Sequence, residues 1–245
     1  FGPAAMKEEL LPKLIKGEIN FCMAMTEPDA GSNSLEMKSF ARADGNGWRL
    51  NGQKIWISGV DQADKMLVVA RTKKLEEAER RTDGLSLFMI DVARNGVAYQ
   101  AIDKLGTNTL GSFSVFFEDV RIDPEDLIGD LHGGWHQLLE VLNTERIVTT
   151  AGLVGTGELA IKLAVDYAND RKVFGDTPIA AYQGIQFPLA QCHAEIECAR
   201  LMNYKAARLC DRGEPYGSEA NRAKLIAAQA AAEARDLAVA GRDRA

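Results

Sequence analysis

The apolar residues of this chain change their spacing near residue 130. Before that point they come in short runs, such as KMLVVART (Lys65–Thr72), GLSLFMIDV (Gly84–Val92) and SVFFEDVRI (Ser114–Ile122), with turn-forming residues between them. After about residue 133 they recur at three- and four-residue intervals over long stretches. Short runs bounded by turns suit buried strands, and a period of 3.6 buries one stripe of a helix. No long helical pattern separates the strands, so the first part predicts a small all-β unit, closed or sandwiched. The second part predicts antiparallel helices at the start of a bundle. The fold class expected is therefore α+β and multidomain.

Local signals place the elements. GWRLNGQKIWISG (Gly47–Gly59) carries Asn51-Gly52 between two short runs, which predicts a type I′ hairpin turn, with a further turn before it at Asp44-Gly45-Asn46-Gly47. The doubly charged stretch KKLEEAERRTD (Lys73–Asp83) reads as a solvated loop or short helix. Helical periodicity covers Trp135–Asn169, Ala181–Arg212 and Ser218–Ala240, with Gly213, Pro215 and Gly217 breaking the last two apart and Ser218-Glu219 starting the third. PAAMKEELLPKLIKGE, near the beginning, reads as the end of another helical region. The expected domains are 1–20, 21–130 and 131–245, which 245 residues accommodate.

Composition narrows the function classes. A net charge of −6 argues against a nucleic-acid surface, which needs a basic stripe. None of the four cysteines forms a CxxC pair, so a reducing compartment is expected: the cytoplasm or, alternatively, the mitochondrial matrix. No apolar run approaches the roughly 18 residues of a membrane span. His132, His136 and His193 lack metal-ligand spacing, and no metal is expected. The chain opens on Phe1, and its ends read as cut.

Four motifs follow in order. MTEPDAGSN (Met25–Asn33) leaves an apolar run into small and polar residues; alone it makes a surface turn as readily as a ligand loop. NGQKIWISG (Asn51–Gly59) comes next, then LNTERI (Leu142–Ile147), then RKVFG (Arg171–Gly175) with Tyr182-Gln183. Trp56 offers a flat face, or simply covers a core. Side chains on a strand repeat every two residues, which puts Ser58 on the same side as Trp56. Gly31 has no Cβ and permits close backbone approach. Arg171, at a helix end, suits the negative pole of the helix dipole. Glu145 has Leu138, Val141, Leu142, Val148, Thr149 and Gly152 as its helical neighbours. A carboxylate on so apolar a face is either paired or functional.

In order and spacing these motifs resemble the acyl-CoA dehydrogenases over nearly the whole chain, from about residue 10 to 235. The resemblance implies an orthogonal sheet or barrel as middle domain, followed by an antiparallel helical bundle. It implies FAD, contacted by Met25, Thr26, Gly31, Ser32, Trp56 and Ser58. Arg171, Phe174 and Gln183 would reach a flavin held mainly by a neighbouring subunit, in a homotetramer built as a dimer of dimers. Glu145 would be the catalytic base, as in the branch containing isovaleryl-CoA and long-chain acyl-CoA dehydrogenases. Burial among apolar neighbours would raise its pKa toward neutrality. Ser32, Asn143 and Arg146 would meet the acyl-CoA, and GTNTLG (Gly106–Gly111) would pack near the flavin. The implied reaction is α,β-dehydrogenation of an acyl-CoA thioester in fatty-acid β-oxidation, with electrons passed to an electron-transferring flavoprotein. The same fold could instead serve an enoyl-CoA reductase of the crotonobetainyl-CoA type, an acyl-CoA oxidase, a nitroalkane oxidase or a non-catalytic partner subunit. Asp29 and Asn33 depart from the family pattern, which commonly has glycine and aspartate there, and put details of acyl-CoA contact in question.

Overall fold

The computed structural model describes residues 1–243. It divides into two compact units, split between Leu138 and Leu139. The first unit begins with a helix, α1 (Ala4–Ile15), and continues through eight strands: β1 (Phe21–Ala24), β2 (Phe40–Asp44), β3 (Gly47–Ser58), β4 (Lys65–Arg71), β5 (Leu85–Asp91), β6 (Val97–Ala101), β7 (Ser112–Ile122) and β8 (Leu127–Ile128). They form one sheet in the order β6-β7-β3-β2-β4-β5-β8, with β1 pairing alongside β4. Pairing is antiparallel except for β1 and β2 against β4. The core is drawn from the apolar runs: Leu50, Met66, Val68, Ala70, Phe88, Ile90, Val115, Val120 and Ile122 are all fully buried.

One expectation for this unit is overturned. Asn51-Gly52 is not a hairpin turn; Gly47–Ser58 is one strand of 12 residues that passes straight through it. The β2–β3 hairpin instead turns at Asp44-Gly45-Asn46-Gly47, with Asp44 opposite Gly47. Gly52 marks a bulge, where the register against β7 shifts between Leu50 and Gly52. Its φ of 151° is open to glycine, and a Cβ there would lie 2.6 Å from that of Ser39. The Asn51 Oδ1 accepts the Asp119 N–H across the bulge, at 2.9 Å.

The second unit contains most of α2 (Gly134–Asp170), a short hairpin of β9 (Lys172–Val173) and β10 (Thr177–Pro178), then α3 (Gln183–Asp211) and α4 (Gly217–Asp243). Three helices appear where the periodicity predicts three. Their core combines Val154 of α2 with Cys192, Ile196 and Ala199 of α3 and Ala227, Ala230 and Ala234 of α4. Alanine packs helices closely and loses no side-chain entropy on burial. Across the interface the Asn203 amide donates to the Ile147 carbonyl at 3.1 Å. By length and composition alone α2 is long and apolar enough to cross a membrane. The search for an unbroken apolar run missed this because Glu158 and Lys162 interrupt the stretch.

Candidate active site

In the first unit, three consecutive residues of β3 bind the MTEPDAGSN loop and expose an indole. The Lys54 ammonium donates to the Met25 carbonyl at 2.9 Å, and the Ile55 N–H donates to the Thr26 carbonyl at 2.9 Å. Trp56 follows at φ 62°, a left-handed conformation that costs a non-glycine residue on the order of 1–3 kcal/mol. The register against β7 shifts again between Lys54 and Ile57, so this is a second bulge. It breaks the strict alternation that would put Lys54 on the same side as Trp56: Lys54 is fully buried, whereas Trp56 is 55% exposed. Trp56 and Ser58 are both exposed and flank buried Ile57, so they do share a side.

Within the loop, Glu27 and Ala30 exchange both backbone hydrogen bonds around Pro28-Asp29, at 3.2 and 3.1 Å. Gly31 and Ser32 then lie exposed, and no heavy atom comes within 4 Å of the position a Gly31 Cβ would take. Among the described residues, the N–H groups of Thr26, Gly31 and Ser32 meet no backbone acceptor. The loop thus presents free donors beside an aromatic ring that is exposed and carried on a strained backbone. That combination fits an isoalloxazine, which needs a flat partner and donors along its polar edge. Asp29 is tied to Lys38 by an exposed ion pair of 3.0 Å.

The sequence reading missed the pair beneath the loop. The Lys54 ammonium also donates to the Glu27 Oε1 at 2.8 Å, and the two side chains are 0% and 6% exposed. Glu27 further accepts the N–H groups of Lys38, at 2.6 Å, and Ser39, at 3.0 Å. Burial pushes the Glu27 carboxyl up, but the Lys54 charge and these hydrogen bonds outweigh it and hold the group below its ordinary value. Burial pulls the Lys54 ammonium down despite Glu27. A lysine directly before the apolar run Ile55-Trp56-Ile57 was the available signal. Nearby, buried Arg71 donates to the carbonyls of Leu35, Arg81 and Asp83, tying the segment before β2 to the segment before β5.

In the second unit, Glu145 lies on α2 and accepts the Thr149 hydroxyl at 2.8 Å. It is exposed, and so are Val141 (49%) and Val148 (69%) on its face. The burial expected for this carboxylate is therefore not present here: Leu138 on its face is buried, but Glu145 and the two valines are uncovered. One turn of helix brings Asn143 and Arg146 together, the guanidinium donating to the Asn143 Oδ1 at 2.7 Å. Thr144 shares a hydrogen bond of 2.9 Å with the Tyr216 hydroxyl.

Arg171 is the first residue after α2. Its N–H donates to the Tyr167 carbonyl at 2.8 Å, and its carbonyl accepts the Ile179 N–H at 2.9 Å. It lines an apolar cavity of about 600 Å³ with Tyr167, Phe174, Tyr182, Ile185 and Leu189. Phe174, at φ 49° in the β9–β10 turn, is 91% exposed and meets Tyr182 edge-on with ring centroids 6.4 Å apart. Gln183 opens α3 beside the cavity and is exposed.

Comparison with known proteins agrees with this geometry. Residues 22–120 match the family model "acyl-CoA dehydrogenase, middle domain", and residues 132–241 match "acyl-CoA dehydrogenase, C-terminal domain". The chain belongs to the acyl-CoA dehydrogenase family. It is 42% identical to acyl-CoA dehydrogenase FadE12 of Mycobacterium tuberculosis, over 98% of this chain and 61% of that protein. It is 34% identical to a 3-(aryl)acrylate reductase of Clostridium sporogenes, over 94% of this chain and 60% of the reductase. A glutaryl-coenzyme A dehydrogenase solved with glutaryl-CoA superposes with a TM-score of 0.89 at 33% identity, over 98% of this chain and 60% of that one. The chain thus spans about three fifths of the length of these relatives.

Proposed function

We propose that the protein is an FAD-dependent acyl-CoA dehydrogenase that converts an acyl-CoA thioester to a trans-2-enoyl-CoA. The observation that carries this reading is the exposed Trp56–Ser58 face beside the free donors of Thr26, Gly31 and Ser32, in a chain of this family. Those residues, with Met25, would hold the flavin ring, and FAD would supply the hydride acceptor. Glu145 removes the α-proton, and the hydrogen bond from Thr149 fixes the orientation of its carboxylate. Arg146, held by Asn143, is positioned for the thioester and CoA end of the substrate, and Ser32 for the acyl-CoA at the loop. Arg171, Phe174 and Gln183 would serve the pyrophosphate and adenine side of a flavin in another copy, which requires an oligomer, with a homotetramer as the expected form. The electron acceptor would be an electron-transferring flavoprotein, and the setting cytoplasmic.

The test is direct. The purified protein should be yellow, and its flavin should bleach when acyl-CoA is added without air. Full bleaching by Glu145→Gln would move the base elsewhere. The likeness to the 3-(aryl)acrylate reductase favours a second reading, in which the same site runs toward saturation of an acrylate thioester. Reoxidation of the reduced protein by an enoyl-CoA, with no bleaching by the saturated thioester, would select it.

A further inference from the structure

We propose that Lys54, through its buried pair with Glu27, is a positioning residue for the flavin loop and not only a support for the sheet. The inference rests on the flavin reading above. One ammonium holds two residues at the loop's entry: the Met25 carbonyl at 2.9 Å and the Glu27 carboxylate at 2.8 Å. The adjoining Ile55 N–H holds the Thr26 carbonyl. Three successive loop residues are therefore fixed from one short stretch of β3, two through their carbonyls and the third through its side chain. The Glu27 carboxylate carries the constraint onward to the N–H groups of Lys38 and Ser39, where the loop rejoins the sheet. With their carbonyls engaged, the peptide planes at Met25 and Thr26 cannot rotate, and the direction of the donors that follow is set. The next residue of the same stretch is Trp56 in its left-handed bulge, so ring platform and donor loop share one anchor. A pair serving the sheet alone would not need an ammonium at this point, because an apolar side chain of similar length fills the same space.

The experiment compares the full protein with Lys54→Met and with Glu27→Gln/Lys54→Met. Each is stripped of flavin, and FAD is titrated back while the flavin absorption spectrum, the thermal midpoint and hydrogen exchange of the 25–33 peptide are followed. Lys54→Met leaves a buried carboxylate without its cation and should lose stability as well as FAD affinity. The double variant removes both charges and should regain most of the thermal midpoint. Its FAD dissociation constant should nevertheless stay raised by about tenfold or more, with faster exchange limited to residues 25–33 and to Lys38 and Ser39, whose N–H groups Glu27 holds. If FAD affinity and spectrum return together with stability in the double variant, the pair is structural only and the proposal is overturned. A parent protein that takes up no FAD defeats the flavin reading instead, and exchange at 25–33 still decides whether Lys54 sets the loop.

Discussion

Trp56 keeps a left-handed backbone while more than half of its surface is exposed. Trp56→Ala should therefore leave the thermal midpoint nearly unchanged while weakening FAD retention, as read by the flavin-to-protein absorbance ratio after gel filtration. At Glu145, replacement by Gln should slow anaerobic flavin reduction by about 10²- to 10⁴-fold, the usual contribution of a general base, without loss of flavin. Glu27 gives a pH dependence. Its carboxyl is held below its ordinary value of 4.5 in the fold, so below that pH the unfolded chain binds the proton more readily. The stability is present above pH 4.5 and is lost as pH falls through the folded value. Thermal midpoints followed by circular dichroism from pH 7 down to about pH 3.5 should fall, and fall less steeply in Glu27→Gln. Trp56, Ser32 and Glu145 could be singled out as candidates because each lies in a motif. The Glu27–Lys54 pair was not, because its meaning depends on two segments 27 residues apart meeting below the surface.

The hairpin of β2 and β3 shows where local reading fails. Asn-Gly and Asp-Gly-Asn-Gly are both turn formers, and local chemistry alone cannot rank them. Burial of Leu50 on one side of Gly52 and of Lys54 on the other keeps the strand running, and close packing of Ser39 against the backbone needs a residue without a Cβ at 52. Gly52→Ala should cost several kcal/mol, through both the collision with Ser39 and the positive φ, and denaturant unfolding would measure it. A full recovery of stability in the variant would mean that β2 shifts to make room. The helices were legible almost to their ends because long 3.6-residue periods tolerate isolated polar residues. That tolerance also let the apolar character of α2 pass unnoticed around Glu158 and Lys162.

At the scale of the whole molecule, apolar surface remains exposed in the second unit: Val148, Leu159 and Leu163 along α2, and Phe174 at 91%. A patch of that kind marks a face that expects a partner. If other copies supply it, Phe174→Ser should lower FAD affinity and shift sedimentation toward smaller species together. Lower affinity with unchanged sedimentation would confine Phe174 to the ligand. The change from strands to helices was visible in the sequence, since periodicity is a property of each element. Covering of the Glu145 face was expected from side-chain type alone, and side-chain type does not say which molecule does the covering.

The second bulge of β3 has an optical consequence. The chain has three tryptophans, of which Trp48 packs against Phe88 with ring centroids 5.4 Å apart and Trp135 is half-buried, whereas Trp56 is more than half exposed. The red edge of the protein's ultraviolet emission therefore belongs mainly to one indole, and that indole sits on the strand that carries the proposed site. Any planar molecule that settles on it would dim and blue-shift this part of the spectrum, so the bare protein already carries its own gauge of occupancy.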